Sequence, residues 1–229
     1  MMTQIGLDLE RLRNTNSGLG QFCVHLYQNL VNEKPADKAF QLYLPKNTAW
    51  RSQRNEQTYT VGFWDKLLGV RNTSLQLFHA THQDSHLLPR SEKIKKIVTI
   101  HDFNFLEKYK DKAKQQRKIN NLQQKVNQAS GVAFISKYTE EIARQHLQFP
   151  PSVLTQVIYN GNNISDFPNA TKPKWLTQDD YFFTIGMVQA KKNFHVLLPL
   201  VKHTNITLVI AGWAEGKYAD EIKETATAM

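Results

Sequence analysis

Short apolar runs recur through the chain, each closed by glycine, proline or polar residues, and most are separated by stretches with apolar residues every three or four positions. Residues 5–9 predict a first strand, followed by a polar loop from Arg11 to Gly20. Beyond that loop Phe22, Leu26 and Leu30, with Cys23, Tyr27 and Val31 beside them, line one face of a helix. Residues 40–44 (FQLYL) predict a second strand that Pro45 stops. Residues 46–74 scatter Trp50, Phe63 and Trp64 among polar neighbours and predict no element. A short strand at 75–79 and a buried one at 94–100 come next. A long helix covers much of 112–128, because Ile119, Leu122, Val126 and Ala129 fall at helical spacing. Residues 131–135 are again strand-like, and Ser136 is placed to cap a helix reaching Leu147. A strand over 153–159 ends in the turn Asn160-Gly161.

Strands alternating with helices in this way predict a parallel sheet covered on both faces. The polar stretch with Pro168 and Pro173 predicts an interdomain linker at 168–180, between a first domain over 1–167 and a second over 181–229. The second opens with a strand at 181–185, a helix at 193–203, a strand at 206–211 and a last helix running to Met229. Those segments fall short of the ~100 residues of a self-sufficient domain. The fold class is therefore α/β: a Rossmann-like, doubly wound parallel sheet plus the first part of a second Rossmann-like domain.

Composition narrows the setting. The chain of 229 residues is 41% hydrophobic and 21% charged, enough to build a sizeable core. No apolar run approaches the ~20 residues that span a bilayer. The N-terminus lacks the basic-then-apolar layout of a secretory signal, and Cys23 is the only cysteine, so the expected location is the cytoplasm. The formal net charge of +9 favours acidic partners. Much of the excess lies in Lys108, Lys110, Lys112, Lys114, Arg117 and Lys118, which suit a solvated helix or the anionic face of a membrane. Nucleic acid is not an expected partner, since no helix-turn-helix, metal finger or RNA-binding signature is present.

Four places offer chemistry. Gly18-Leu19-Gly20 stands just before a helix, where closely spaced glycines let backbone N–H groups approach a phosphate; a flexible turn is the plainer reading. His101 and Asp102 follow a buried strand, at the edge where open parallel sheets bind ligands. His101 can donate to a sugar hydroxyl or a developing charge and Asp102 can orient it, although a histidine there is often merely hydrogen-bonded. His79, His82 and His86 have helical offsets but a loop-like context and only Asp84 nearby, so no metal is expected. Gly186 closes the strand at 181–185 and is followed by Lys191 and Lys192 at a predicted helix start. Cations there oppose the helix dipole unless an anion lies between them, which points to anion binding.

In order and spacing these marks resemble the family 4 glycosyltransferases of GT-B fold. The matching stretches are IGLD at 5–8, SGLGQF at 17–22, VTIHD at 98–102, Ile135 with Ser136, VIYNG at 157–161, Ile185-Gly186 through Asn193, and LVIAG at 208–212. The resemblance implies a retaining transfer of sugar from a nucleotide-sugar to a glycan or lipid-linked acceptor, without a metal or other cofactor, in surface polysaccharide synthesis. Gly18, Gly20 and Gly186 would approach the donor diphosphate, Lys192 and Lys191 would neutralise it, and His101 with Asp102 would serve the donor sugar and the acceptor site. Two departures stand out. Met187 occupies a position where many relatives carry arginine, and the family's Glu-x7-Glu segment should lie beyond Met229. This chain is accordingly expected to be an inactive fragment of its parent. The rival readings are a non-catalytic glycan- or lipid-binding module, or another GT-B enzyme such as a nucleotide-sugar epimerase. A dinucleotide oxidoreductase is weaker, because the glycine fingerprint is incomplete.

Overall fold

The computed structural model describes residues 2–33, 36–52, 54–162 and 171–229. By its contacts the chain divides into two compact units, Met1–Ile164 and Ser165–Met229.

The first unit is built on seven parallel strands: β1 (Thr3–Asp8), β2 (Lys38–Leu44), β3 (Gln57–Thr60), β4 (Leu77–Ala80), β5 (Lys95–Ile100), β6 (Gly131–Phe134) and β7 (Leu154–Val157). Their order across the sheet is β3-β2-β1-β4-β5-β6-β7. The chain runs outward from β1 to β3, then returns to the other side of β1 at β4. Right-handed crossovers on either side of that reversal send helices to opposite faces. The crevice between β1 and β4 is thus the place where a doubly wound sheet receives ligands.

Helix α1 (Gly18–Asn32) follows β1, after a 3-10 turn at Glu10–Asn14. Its buried stripe is Gly20, Cys23, Tyr27 and Val31, with Phe22 and Leu30 only partly covered. This stripe packs with Leu7 and Leu42 into one core. Gly20 is demanded by that packing, since a Cβ on it would lie 2.0 Å from the Asn14 carbonyl oxygen. Residues 57–68, where no element was expected, contain β3 and the short helix α2 (Phe63–Leu68).

After β5 come a single turn, α3 (Phe105–Lys108), and the long α4 (Lys112–Gln128), whose first amides are capped by Asp111. Leu122 and Val126 of α4 join Phe78, Val98, Ile100, Phe134 and Ala143 in the second core. Helix α5 (Lys137–His146) begins as predicted, with the Ser136 hydroxyl accepting from the Thr139 amide.

The second unit pairs β8 (Tyr181–Ile185) in parallel with β9 (Thr207–Ala211). Its core joins Val188, Phe194 and Leu198 to Ala219 and Ile222 of the final helix. The helix predicted over 193–203 is not continuous. Two 3-10 turns, Ala190–Lys192 and Phe194–Val196, precede a four-residue α6 (Leu198–Val201); the last helix is α7 (Lys217–Thr227). Asn193 adopts a left-handed φ of 60°, and Pro199 lacks an N–H and crowds the carbonyl four residues back, so neither permits one α-helix through this stretch. The predicted linker lies partly outside the described residues. Its described part contains a turn in which the Leu176 amide donates to the Pro173 carbonyl and the Leu176 side chain is buried. No helix among the described residues is long and apolar enough to cross a membrane.

Candidate functional site

In the first unit the carboxyl ends of β1, β4 and β5 bring together Asp8, Thr81 and His101, with the α1 N-terminus nearby through the contact of Cys23 with Thr81. The two glycines of that N-terminus prove unequal. Gly20 gives its N–H to the Ser17 hydroxyl at 3.1 Å and is wedged against Asn14. Gly18 has open space around it, and its N–H and that of Leu19 have no partner among the described residues, as in any first helical turn. Of the two glycines, only Gly18 retains the amide that a phosphate approach needs.

His101 is buried, and burial holds its pKa below the ordinary imidazole value. Its Nε2 lies 2.8 Å from the Thr81 carbonyl oxygen, which can only accept, so Nε2 carries the proton. The neutral ring is left with a lone pair on Nδ1. It is therefore an acceptor for a ligand hydroxyl, whereas the sequence suggested a donor. Phe22 meets the ring edge-on at 4.6 Å and His82 stacks on it at 5.4 Å.

Asp102 does not orient the imidazole. Its Oδ1 accepts instead from the Asn104 amide at 3.0 Å, fixing the turn that leaves the strand. The strand end is held by Gln83, whose Oε1 accepts from the His101 amide at 3.0 Å while its Nε2 donates to the Asp102 carbonyl at 2.9 Å. The Thr139 hydroxyl donates to the His101 carbonyl. Thr81 and Gln83 were not singled out from the sequence. Their only signal was the polar run THQDSH at 81–86, directly after β4 at the ligand-binding edge.

Two of the three histidines of this region have local partners. His79 Nε2 bonds the Thr99 hydroxyl at 2.8 Å, and burial pushes its pKa down to about 4. His82 Nδ1 accepts from the Arg11 guanidinium at 2.8 Å and the Asp84 amide at 3.0 Å; burial and Arg11 keep the ring neutral. Among the described residues no group of His, Cys, Asp or Glu is arranged to hold a metal ion. Asp84 sits between Lys118 at 3.1 Å and Arg11 at 3.9 Å. Lys125 donates to the Gln83 carbonyl at 2.7 Å, and burial pushes its pKa down to about 8. These side chains border a pocket of about 290 Å³ lined by Gln83, Asp84, His86, Lys118 and Lys125.

In the second unit Gly186 ends β8, its N–H bonded to the Ala211 carbonyl at 2.9 Å. Lys191 and Lys192 are exposed on a 3-10 turn, so no α-helix begins at them and the predicted helix dipole is not there to oppose their charge. The stem of Lys192 nevertheless returns toward the strand end: its Cε lies 3.8 Å from where a Cβ on Gly186 would be. Gly212 closes the same edge, with a φ of 148° and a virtual Cβ only 1.9 Å from the Gly186 carbonyl oxygen.

No family model matches the chain, and no curated protein matches it. Among solved structures it is similar to a sucrose-phosphate synthase from Thermosynechococcus elongatus, with a TM-score of 0.68 at 11% identity, over 99% of this chain and 67% of that one. At that identity the likeness speaks for the fold: Rossmann-like and of the GT-B kind.

Proposed function

We propose that the chain is part of a retaining glycosyltransferase that moves a sugar from a nucleotide-sugar to a glycan or lipid-linked acceptor, in the cytoplasm and without a metal, during surface polysaccharide synthesis. The likeness to a sucrose-phosphate synthase supports the general class. The observation that carries the reading further is the return of Lys192 across Gly186, which sets a flexible cation over the end of a parallel strand.

Glycosyl transfer through an oxocarbenium-like state leaves negative charge on the departing diphosphate, and preorganised cations and N–H groups stabilise it. In this reading Lys192 and Lys191 meet that charge beside Gly186, within the second unit; Gly18 offers an amide of its own to an anion at the first unit's sheet edge. The neutral His101 accepts a hydroxyl of the donor sugar or acceptor through Nδ1, while Asp102 secures the turn that follows. Cys23, alone and buried, suits a reducing compartment.

Titration with nucleoside diphosphates, followed by ligand-observed NMR, tests this reading. Lys192→Ala should weaken binding about tenfold, the worth of one charge-assisted contact, and His101→Ala should leave diphosphate binding unchanged. Wild-type protein that takes no diphosphate, or takes it equally well without Lys192, overturns the reading and leaves a non-catalytic glycan- or lipid-binding module.

A further inference from the structure

The helix α2 is made the wrong way round for a soluble surface. None of its six residues is buried, and three of them are large apolar side chains turned to solvent: Phe63 is 73% exposed, Trp64 59% and Leu67 55%. Phe63 and Trp64 meet edge to face at 5.5 Å, so they form one aromatic prow and not two isolated residues. The helix is nonetheless firmly seated. The Asp65 carboxylate accepts from the Gly62 amide at 2.8 Å, and Gly69, at a φ of 74°, turns the chain back into the buried Val70.

A basic hollow adjoins the prow. Leu68, Val70, Arg71, Asn72, Arg90 and Ser91 line a mostly apolar pocket of about 300 Å³, with two arginines on its border. Arg90 donates to the Leu67 carbonyl at 3.1 Å, which ties the hollow to the last turn of α2. Neither Arg71 nor Arg90 has a carboxylate partner among the described residues, whereas Lys66 is already paired with Glu10. Apolar side chains beside guanidinium groups that no carboxylate neutralises are complementary to an anionic bilayer surface: rings enter the headgroup boundary while arginine engages lipid phosphate.

The lysine-rich stretch around α3 and α4 lacks this combination. Its exposed cations at Lys108 and Lys114 lie over the half-buried ring of Tyr109, at 5.8 and 5.2 Å from its centre, which leaves charge there but no apolar prow. We propose that α2 and the Arg71–Arg90 hollow form a membrane-docking surface, in which Phe63, Trp64 and Leu67 enter the interface of an anionic bilayer and the two arginines hold lipid phosphate. This surface does not depend on the transferase reading, since vesicle binding needs neither donor nor acceptor.

Flotation of the purified chain with mixed phosphatidylcholine–phosphatidylglycerol vesicles, compared with phosphatidylcholine alone, tests it. The wild type should float with the anionic vesicles and shift its tryptophan emission to the blue. Phe63→Ser with Trp64→Ser should lower the partition coefficient about tenfold or more, and Arg71→Glu should lower it comparably. Trp64→Phe should keep binding but lose most of the blue shift. Replacing Lys108, Lys110 and Lys112 by glutamate should change partition less than Arg71→Glu alone. Binding indifferent to the prow and to Arg71, or abolished by the lysine variant only, overturns the proposal. So does a lipid-free dimer that the Phe63→Ser, Trp64→Ser variant splits into monomers, because the prow would then be covered by a second copy of the chain.

Discussion

Cys23 shows how much the surroundings of one side chain decide its chemistry. The thiol is fully buried in α1, 3.6 Å from the Thr81 hydroxyl, and burial raises its pKa to about 12. Thiolate is the reactive form, so this cysteine should be inert in the folded chain. A chromogenic disulfide reagent near pH 8 should find no thiol until denaturant is added, and one equivalent afterwards; prompt reaction of the native protein would mean that the core around α1 opens readily. His101 follows the same logic. A polar residue at the end of a buried strand was visible in the sequence, and so was its placement at the ligand-binding edge. Its tautomer was not, because that is set by Thr81, twenty positions away and adjacent only once β4 pairs with β5.

Elements were legible where one signal dominated. The three- and four-residue spacing of Ile119, Leu122 and Val126 marks α4, while its N-cap, Asp111, emerged only in the structure. The short apolar runs of β1, β2 and β5 stand out because both faces of the sheet are covered. Legibility failed where a rule was broken. The strand β3 (QTYT) carries no apolar run, and α2 directs its apolar residues outward, so neither fits a pattern that assumes burial. Pro199 interrupted an apolar run that looked helical. The glycines of α1 illustrate the same limit, since spacing alone could not separate them. Gly20→Ala should cost about 1–3 kcal/mol, as overpacking does, because the new methyl must displace the Asn14 carbonyl. Gly18→Ala, with nothing near its virtual Cβ, should be neutral or stabilise by up to about 1 kcal/mol. Urea unfolding of the two variants would decide; equal losses would remove the distinction.

For the molecule as a whole, the buried histidines set the response to acid. His79 is held at about 4, and His82 and His101 are also held below their ordinary value. The unfolded chain takes up these protons near pH 6.5 and the folded chain resists. Stability should therefore be intact above about 6.5 and fall as the pH drops toward 4. Asp8, raised by burial, works the opposite way and offsets part of that loss. The urea midpoint should be lower near pH 5 than near 7.5, and His79→Asn should narrow the gap; an unchanged gap would mean that His79 is not among the groups resisting protonation. The immediate neighbourhood of His101 need not follow this loss. Gln83 fastens the strand end with an amide, using its oxygen on one residue and its nitrogen on the next. An amide has no charge to gain or lose between pH 4 and 8, so acid can weaken the fold while the frame that presents His101 keeps its dimensions. A glutamate at that position would set a carboxylate oxygen against the Asp102 carbonyl and hold the frame only when protonated, turning a permanent rivet into one that acid closes and neutrality springs.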